Sequence, residues 1–380
     1  MKIVVVGGKL QGLEAAYLAN QAGWEVALVD KDCFVPAQGF CHEFHCLDVI
    51  RDVDKLKHIV HSADFIIPAL ENWSALHSLQ GISLAADVPL AFDCQAYEIS
   101  SSKISSDKLF RENNIPAPAY WPEAKLPLIV KPSGKSGSEG VKKISSSMEL
   151  AAFCQATDLI ENWVVQEHLS GPSYSLEVMG FKGSVISYQV TTLEMDALFD
   201  CKRVLAPADL LPDLQEELKI MASKVAGLVN LTGVMDIEVI NDNGILKVLE
   251  IDARLPSQTP ITVWHSTGVN MLEDLHTVFV KGQLPVARSS SVPKQVIFEH
   301  IRVGAEKLEV LGEHIMAVTE PLQLISDFWG ADQAITNYHY GRSQWVATLI
   351  FKGENWAEVS GKRLETMNCL CRYFQISEYR

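Results

Sequence analysis

Between residues 233 and 254 the chain alternates apolar and charged residues around Asp242-Asn243-Gly244, a strong short-range signature of a β-hairpin. Period-two geometry puts Asp236 and Glu238 on one face of the first strand, and Glu250, Asp252 and Arg254 on one face of the second. Acids from both strands therefore converge with an arginine. Val234, Ile240 and Val248 flank them, so this face is expected to lie towards a core; an ordinary solvated sheet face fits those apolar flanks less well. Like charges gathered there need a compensating cation. Hard carboxylate oxygens facing one another are what magnesium takes when it bridges to phosphates.

A second feature is Lys131-Pro132-Ser133-Gly134-Lys135-Ser136-Gly137-Ser138-Glu139-Gly140, where a lysine ends the apolar strand Leu128-Ile129-Val130 and a glycine-serine loop follows. Such a loop can wrap phosphates with backbone N–H groups while Lys131 supplies a point charge. The P-loop pattern G-x-x-x-x-G-K-[ST] fails, because Ile129 stands where the first glycine belongs.

The amino terminus reads as a βαβ unit: an apolar strand from Lys2, a Gly7–Gly12 loop, a helix over Leu13–Ala22 and a strand over Glu25–Asp30. A helix over Asp52–His61 and a buried strand Phe65–Pro68 continue the alternation into a parallel, doubly wound sheet. A dinucleotide fingerprint would need glycine at Lys9, which weakens a nicotinamide reading although Asp30 ends the second strand. Further on, helices are expected over Ile104–Asn113, Met148–Ala156 and Asp213–Asn230, and a strand over Val164–Glu167. Ser289-Ser290-Ser291 reads as a connection, and Gln295–Arg380 reads as strand-rich, with Cys369 and Cys371 alternating on a strand.

With 32 basic and 47 acidic residues the net charge is −15, which repels a phosphate backbone and disfavours nucleic acid as a partner. No apolar run approaches the roughly 18 residues of a spanning helix. Met1-Lys2 leads straight into a strand instead of a leader's apolar stretch, so a cytoplasmic protein is expected, with no membrane partner. Eight scattered cysteines suggest reduced thiols. The Cys41-His42-Glu43-Phe44-His45-Cys46 cluster offers zinc-type ligands, but no second pair stands at a familiar spacing.

Taken in order, the Lys103 segment, the Lys131 strand with its glycine loop, Val164-Val165-Gln166-Glu167-His168-Leu169-Ser170-Gly171 and the acidic hairpin resemble the ATP-grasp superfamily of carboxylate–amine ligases over residues 1 to 285. The resemblance implies a mixed α/β and α+β chain: an amino-terminal α/β substrate-binding domain (1–92), ATP-grasp lobes (93–285, with a small lobe over 115–180 and the catalytic hairpin at 233–254) and a strand-rich carboxyl-terminal domain (286–380). It implies ATP and Mg²⁺ as cofactors and an amide-type bond made through an acylphosphate. A closer resemblance to amino acid ligases of that superfamily, running from Met1-Lys2-Ile3-Val4-Val5-Val6-Gly7-Gly8-Lys9-Leu10-Gln11-Gly12 to Glu250-Ile251-Asp252-Ala253-Arg254-Leu255-Pro256-Ser257-Gln258-Thr259-Pro260, implies small amino acid substrates, lysine and 3-methylornithine, and the chain could act as a homodimer.

Carried over by position, Lys103 and Lys131 would hold ATP phosphates, and Ser136, Gly137 and Ser138 would form the phosphate loop. Gln166, Glu167, His168 and Leu169 would hold the adenine. Ser173 stands where the family often has a ribose-binding glutamate. Glu238, Glu250 and Asp252 would hold the metal, the last replacing a common asparagine, and Arg254 would stabilise the transferring phosphoryl group. Asp236, Glu177, Ser257 and Gln258 could meet the amines and carboxylates of the substrates. Lys9, Leu10, Gln11, Glu71 and Asn72 occupy the carboxyl edge of the first sheet, where such folds bind ligands, though loop ends also carry polar residues for capping alone. A purine-pathway carboxylase of the same superfamily and a non-catalytic nucleotide-binding protein are the alternatives.

Overall fold

The structure is a computed structural model that describes residues 1–157, 162–288 and 292–379. The expected connection at 289–291 lies outside the described residues. Two compact units divide the chain: Met1–Phe92 with Lys202–Pro207 and Leu255–Arg380, and Asp93–Cys201 with Ala208–Arg254.

The first unit begins with β1 (Lys2–Val6), α1 (Leu10–Gln21), β2 (Glu25–Asp30), β3 (Glu43–Cys46), α2 (Val53–Val60), β4 (Phe65–Pro68) and α3 (Trp73–Ala86). The strands run parallel in the order β3-β2-β1-β4. The apolar runs of β1, β2 and β4 are buried throughout, as a parallel sheet covered by helices requires, while the edge strand β3 is not. Val4, Val6, Ala27 and Val29 pack on Leu56, Val60 and Leu79 of α2 and α3.

One sequence expectation is corrected here, that of reduced thiols throughout. The Cys41–Cys46 cluster supplies an edge strand, β3, and His42 Nδ1 accepts the Val26 N–H at 3.1 Å. Cys46 is no free thiol, because it is joined to Cys33 with the Cα atoms 5.1 Å apart. The reason is register: Asp30 pairs with Cys46, so the chain leaving β2 passes the end of β3 three residues later. That proximity is long-range and leaves no mark in cysteine spacing.

The second unit opens with α4 (Cys94–Ser100) and α5 (Lys103–Glu112), each capped by a side chain, Asp93 and Ser102. Then come β5 (Leu128–Pro132), β6 (Lys142–Ile144), α6 (Ser147–Ala156) and β7 (Trp163–Glu167), whose strands form an antiparallel sheet in the order β6-β5-β7. Next are β8 (Ser173–Phe181), β9 (Ser184–Ser187) and β10 (Thr191–Met195), while β11 (Cys201–Ala206) is shared out largely to the first unit. The amphipathic α7 (Pro212–Leu228) leads into β12 (Gly233–Asp242) and β13 (Ile245–Asp252). Leu218, Met221 and Val225 of α7 pack on Leu176 and Val178 of β8, Met235, Ile237 and Val239 of β12, and Leu246, Val248 and Ile251 of β13. Asn243 and Gly244 both have positive φ, 54° and 92°, which is the backbone that a two-residue hairpin loop of this twist demands.

The chain then returns to the first unit with α8 (Thr259–Thr267), α9 (Met271–Phe279), β14 (Gln295–Val303), β15 (Lys307–Val310), α10 (His314–Ala317), β16 (Gln323–Phe328), β17 (Ala331–Thr336), β18 (Trp345–Gly353), α11 (Trp356–Tyr373) and β19 (Glu378–Tyr379). Strands β11, β14, β18, β17 and β16 lie side by side and antiparallel. The segment is strand-rich as expected, but Cys369 and Cys371 sit on α11 and not on a strand. Asn355 caps that helix through the Glu358 N–H at 3.0 Å, and Val359, Thr366, Met367 and Leu370 are buried at helical spacing. Among the described residues no helix is long and apolar enough to cross a membrane.

Candidate active site

The register of the second unit brings the predicted acids together. Asp236 pairs with Asp252 and Glu238 with Glu250 across β12 and β13, while Asp236 also faces Glu177 on β8. They occupy the sheet face opposite the one that packs on α7. Val248 does not share it, and this corrects the alternation read from the sequence. A β-bulge lies where Glu238 pairs with Glu250 but Val239 pairs with Val248, so Leu249 has no partner across the ladder. The bulge shifts the phase of β13: Leu246 and Val248 face the core before it, Ile251 after it, and Glu250 and Asp252 turn to the other side.

The carbonyl freed at the bulge is where Lys131 anchors. Its Nζ, at the end of β5, donates to Leu249 O at 3.0 Å. Lys103, the first residue of α5, places its Nζ 3.0 Å from Glu250 Oε2 and donates to Lys135 O in the glycine loop at 2.6 Å. Two predicted phosphate lysines, one predicted metal ligand and the loop therefore meet in one cluster. Burial draws the Lys131 ammonium below the ordinary lysine range, opposed by the Glu250 and Asp107 carboxylates. Asp107, one turn after Lys103 on α5, escaped sequence reasoning; burial pushes its carboxyl up while Lys131 opposes the shift. Its position four residues from Lys103 was the available signal.

Burial, then the Asp252 and Glu238 charges, push the Asp236 carboxyl well above the usual carboxylate range, and its Oδ1 is buried without a hydrogen-bond partner. A divalent cation or an ammonium is the chemistry that returns such carboxyls to the charged form, so the donor set fits Mg²⁺. Arg254 Nη2 lies 2.9 Å from Asp252 Oδ2. Glu177 is fully buried and accepts from Ser175 Oγ at 3.2 Å.

Around the cluster, Gly137 and Ser138 hold positive φ of 58° and 57°, and Ser138 Oγ donates to Phe199 O at 2.5 Å. Ser136 accepts the Glu139 N–H through its carbonyl. At the end of β7, Gln166 is buried with its Oε1 lacking a partner, while the Glu167 carboxylate is taken by Lys247 at 2.7 Å and the Ala119 N–H at 2.9 Å. His168 donates its backbone N–H to Pro127 O, and Leu169 follows half-buried.

The remaining predicted residues lie in the first unit. Lys9 and Leu10 stand at the start of α1, and Gln11 Nε2 donates to Glu71 Oε1 at 2.8 Å. Asn72 is the cap of α3, accepting the Ala75 N–H at 2.9 Å, so a structural role accounts for it. Ser257 donates to Glu313 Oε2 at 2.8 Å, and Gln258 precedes α8.

Comparison with known proteins identifies the family. Residues 100–258 match the ATP-grasp domain family. The chain is 32% identical over 376 residues to the 3-methyl-D-ornithine–L-lysine ligase of Methanosarcina barkeri, with 98% of each chain covered. It is 34% identical over 365 residues to the enzyme of that name from Methanosarcina acetivorans, with 95% of each covered. Its fold resembles an ADP complex of N5-carboxyaminoimidazole ribonucleotide synthetase at a TM-score of 0.71, covering 98% of this chain and 96% of that one, although only 14% of residues are identical. An ATP-grasp domain carrying paired lysines against a carboxylate hairpin, within a chain matched end to end by these ligases, places it in their family: the protein belongs to the 3-methyl-D-ornithine–L-lysine ligase family of ATP-grasp enzymes.

Proposed function

We propose that the chain joins the carboxylate of 3-methyl-D-ornithine to the ε-amine of L-lysine, with ATP converted to ADP and phosphate. The observation that carries this reading is the meeting of Lys103, Lys131 and the Glu238/Glu250 pair in the second unit, within a family whose curated relatives bear that activity in their names.

In the proposed reaction a carboxylate oxygen of the ornithine attacks the γ-phosphorus and ADP departs. The lysine amine, having lost its ammonium proton to solvent, then attacks the acyl carbon, and phosphate leaves with the electron pair of the broken C–O bond and takes up the further proton that the nitrogen sheds as the amide forms. Lys103 and Lys131 would lie against phosphate oxygens, and Arg254 would face charge on the phosphoryl group. Glu238, Glu250 and Asp252 would hold Mg²⁺, which supplies charge neutralisation at the phosphates when bound. Gly137 and Ser138 would offer backbone N–H groups, while Gln166, Glu167, His168 and Leu169 would line the adenine, Glu167 through its backbone. In the second unit Glu177 and Asp236 would offer carboxylates to substrate amines, and in the first unit Ser257, Gln258, Lys9, Leu10, Gln11 and Glu71 would offer polar groups to an amino acid. The carboxylase alternative has fold likeness alone behind it, at 14% identity.

Incubation with Mg-ATP, L-lysine and D-ornithine, an accessible stand-in, tests the reading. ADP release that requires both amino acids is expected; release driven by bicarbonate and a ribonucleotide would overturn the substrate assignment.

A further inference from the structure

We propose that Glu14 and His300 are positioning residues that fix Gln258 with the N–H end of its carboxamide turned to a carboxylate of an amino acid substrate. The proposal rests on the substrate role given to Gln258 above. Its starting point is backbone geometry: Gln258 adopts φ 70°, ψ −54°, a conformation that a residue with a Cβ keeps only where its surroundings over-determine it.

Those surroundings are explicit within the first unit. The Gln258 N–H donates to Glu14 Oε2 at 3.0 Å, and the other oxygen of that carboxylate takes the Ile261 N–H at 2.6 Å. Glu14 lies on α1 and is 2% exposed, so one helix sends a buried carboxylate to cap the amino terminus of another, α8. The backbone on either side of Gln258 is thereby held by a single side chain 244 residues away in sequence.

The side chain is fixed separately. Gln258 Oε1 lies 3.1 Å from His300 Nε2, and His300 Nδ1 lies 2.8 Å from Thr348 Oγ1. His300 is buried, and burial, followed by the charge of His314, draws its pKa down to about 3, so the ring is neutral and carries one N–H. An amide oxygen only accepts, which assigns that hydrogen to Nε2 and makes Nδ1 the acceptor of the Thr348 hydroxyl. The relay then has one direction, from Thr348 through His300 to the carboxamide oxygen. What Gln258 offers at its other end is N–H donors alone. A group of that kind matches a carboxylate oxygen and is mismatched to an ammonium, and amino acid substrates carry both.

Calorimetric titration of the full-length chain with L-lysine, with D-ornithine and with ADP, together with separate KM and kcat values, tests the orientation. Gln258→Met should weaken one amino acid by about tenfold, and Gln258→Glu should weaken the same one by about a hundredfold or more, with ADP affinity and melting temperature held. Thr348→Val, which unlocks the imidazole tautomer without touching Gln258, should raise the KM for that amino acid and leave the ATP KM in place. A Gln258→Glu variant that binds its amino acid as tightly as the wild type, or more tightly, would mean an ammonium partner and overturn the proposal. Tight wild-type binding with all three variants silent would overturn it alone; a wild-type chain that binds neither amino acid would overturn the ligase reading and this proposal with it.

Discussion

The ammonium of Lys103 lies 3.0 Å from Glu250 Oε2, with the lysine side chain 10% exposed and the glutamate 30%. The first residue of a helix is thus tied to the β13 carboxylate by charge, and the same Nζ reaches the carbonyl of Lys135 in the glycine loop. One side chain joins three pieces of the proposed ATP site. Partial burial makes the pair stronger than a surface ion pair and costly to break from one side.

Replacing Glu250 with alanine should lower turnover by about 10²–10³-fold, since the hairpin loses a metal carboxylate and Lys103 loses its counter-charge. The fold should persist, because the β12–β13 ladder and its apolar face remain. Steady-state rates at saturating Mg-ATP, read beside a thermal melt, check this; a normal rate would sink the metal assignment.

Arg254→Lys keeps the charge beside Asp252 but removes the planar fork. Turnover is expected to fall by about a hundredfold with ATP affinity nearly unchanged, because the lost contact is one made in the transition state. Equal turnover in the variant would make Arg254 a structural partner of Asp252.

Lys131→Met should raise the ATP dissociation constant by at least about tenfold. Stability should move by no more than about 1 kcal/mol, because losing a buried charge offsets the unsatisfied Leu249 carbonyl left at the bulge. A nucleotide titration and a urea midpoint measure the two effects. A large loss of stability with ATP affinity intact would reverse the assignment.

His265 and His300 are buried neutral, each held down to about 3 by burial against an ordinary 6.5. Between those values the unfolded chain binds more protons, so their stability is fully present above about pH 6.5 and is lost as pH falls towards 3. At pH 5 each should cost about 2 kcal/mol relative to neutral pH. Urea midpoints at pH 7 and about pH 5 should drop accordingly for the wild type, and by less for His265→Asn. Identical drops in both would show that His265 contributes nothing.

The two parts of the hairpin show what a sequence can carry. Its strands, its turn and the convergence of Asp236, Glu238, Glu250 and Asp252 were legible, because alternation and an Asn-Gly loop are local signals. The bulge at Leu249 was not, since an extra residue in one strand is defined only by its partner strand. The roles of Lys103 and Arg254 came from resemblance to a family, as no local pattern sets a lysine at position 103 apart from other helix-start lysines. Helix α11 was hidden by β-compatible residues around Cys369, and its Asn355 cap was the overlooked cue. The Cys33–Cys46 bond, and the hold of Glu14 and His300 on Gln258, depend on contacts across the sequence that spacing does not encode.

The central claim is that the carboxylate of the ornithine is activated by phosphoryl transfer before the lysine amine attacks. D-Ornithine carrying heavy oxygen in its carboxylate, turned over with Mg-ATP and L-lysine, tests it most directly by mass spectrometry of both products. The account predicts an ornithyl-lysine amide joined through the lysine ε-nitrogen, with one heavy oxygen delivered to each phosphate released. Phosphate free of the label, or ADP release without a condensed product, would contradict it.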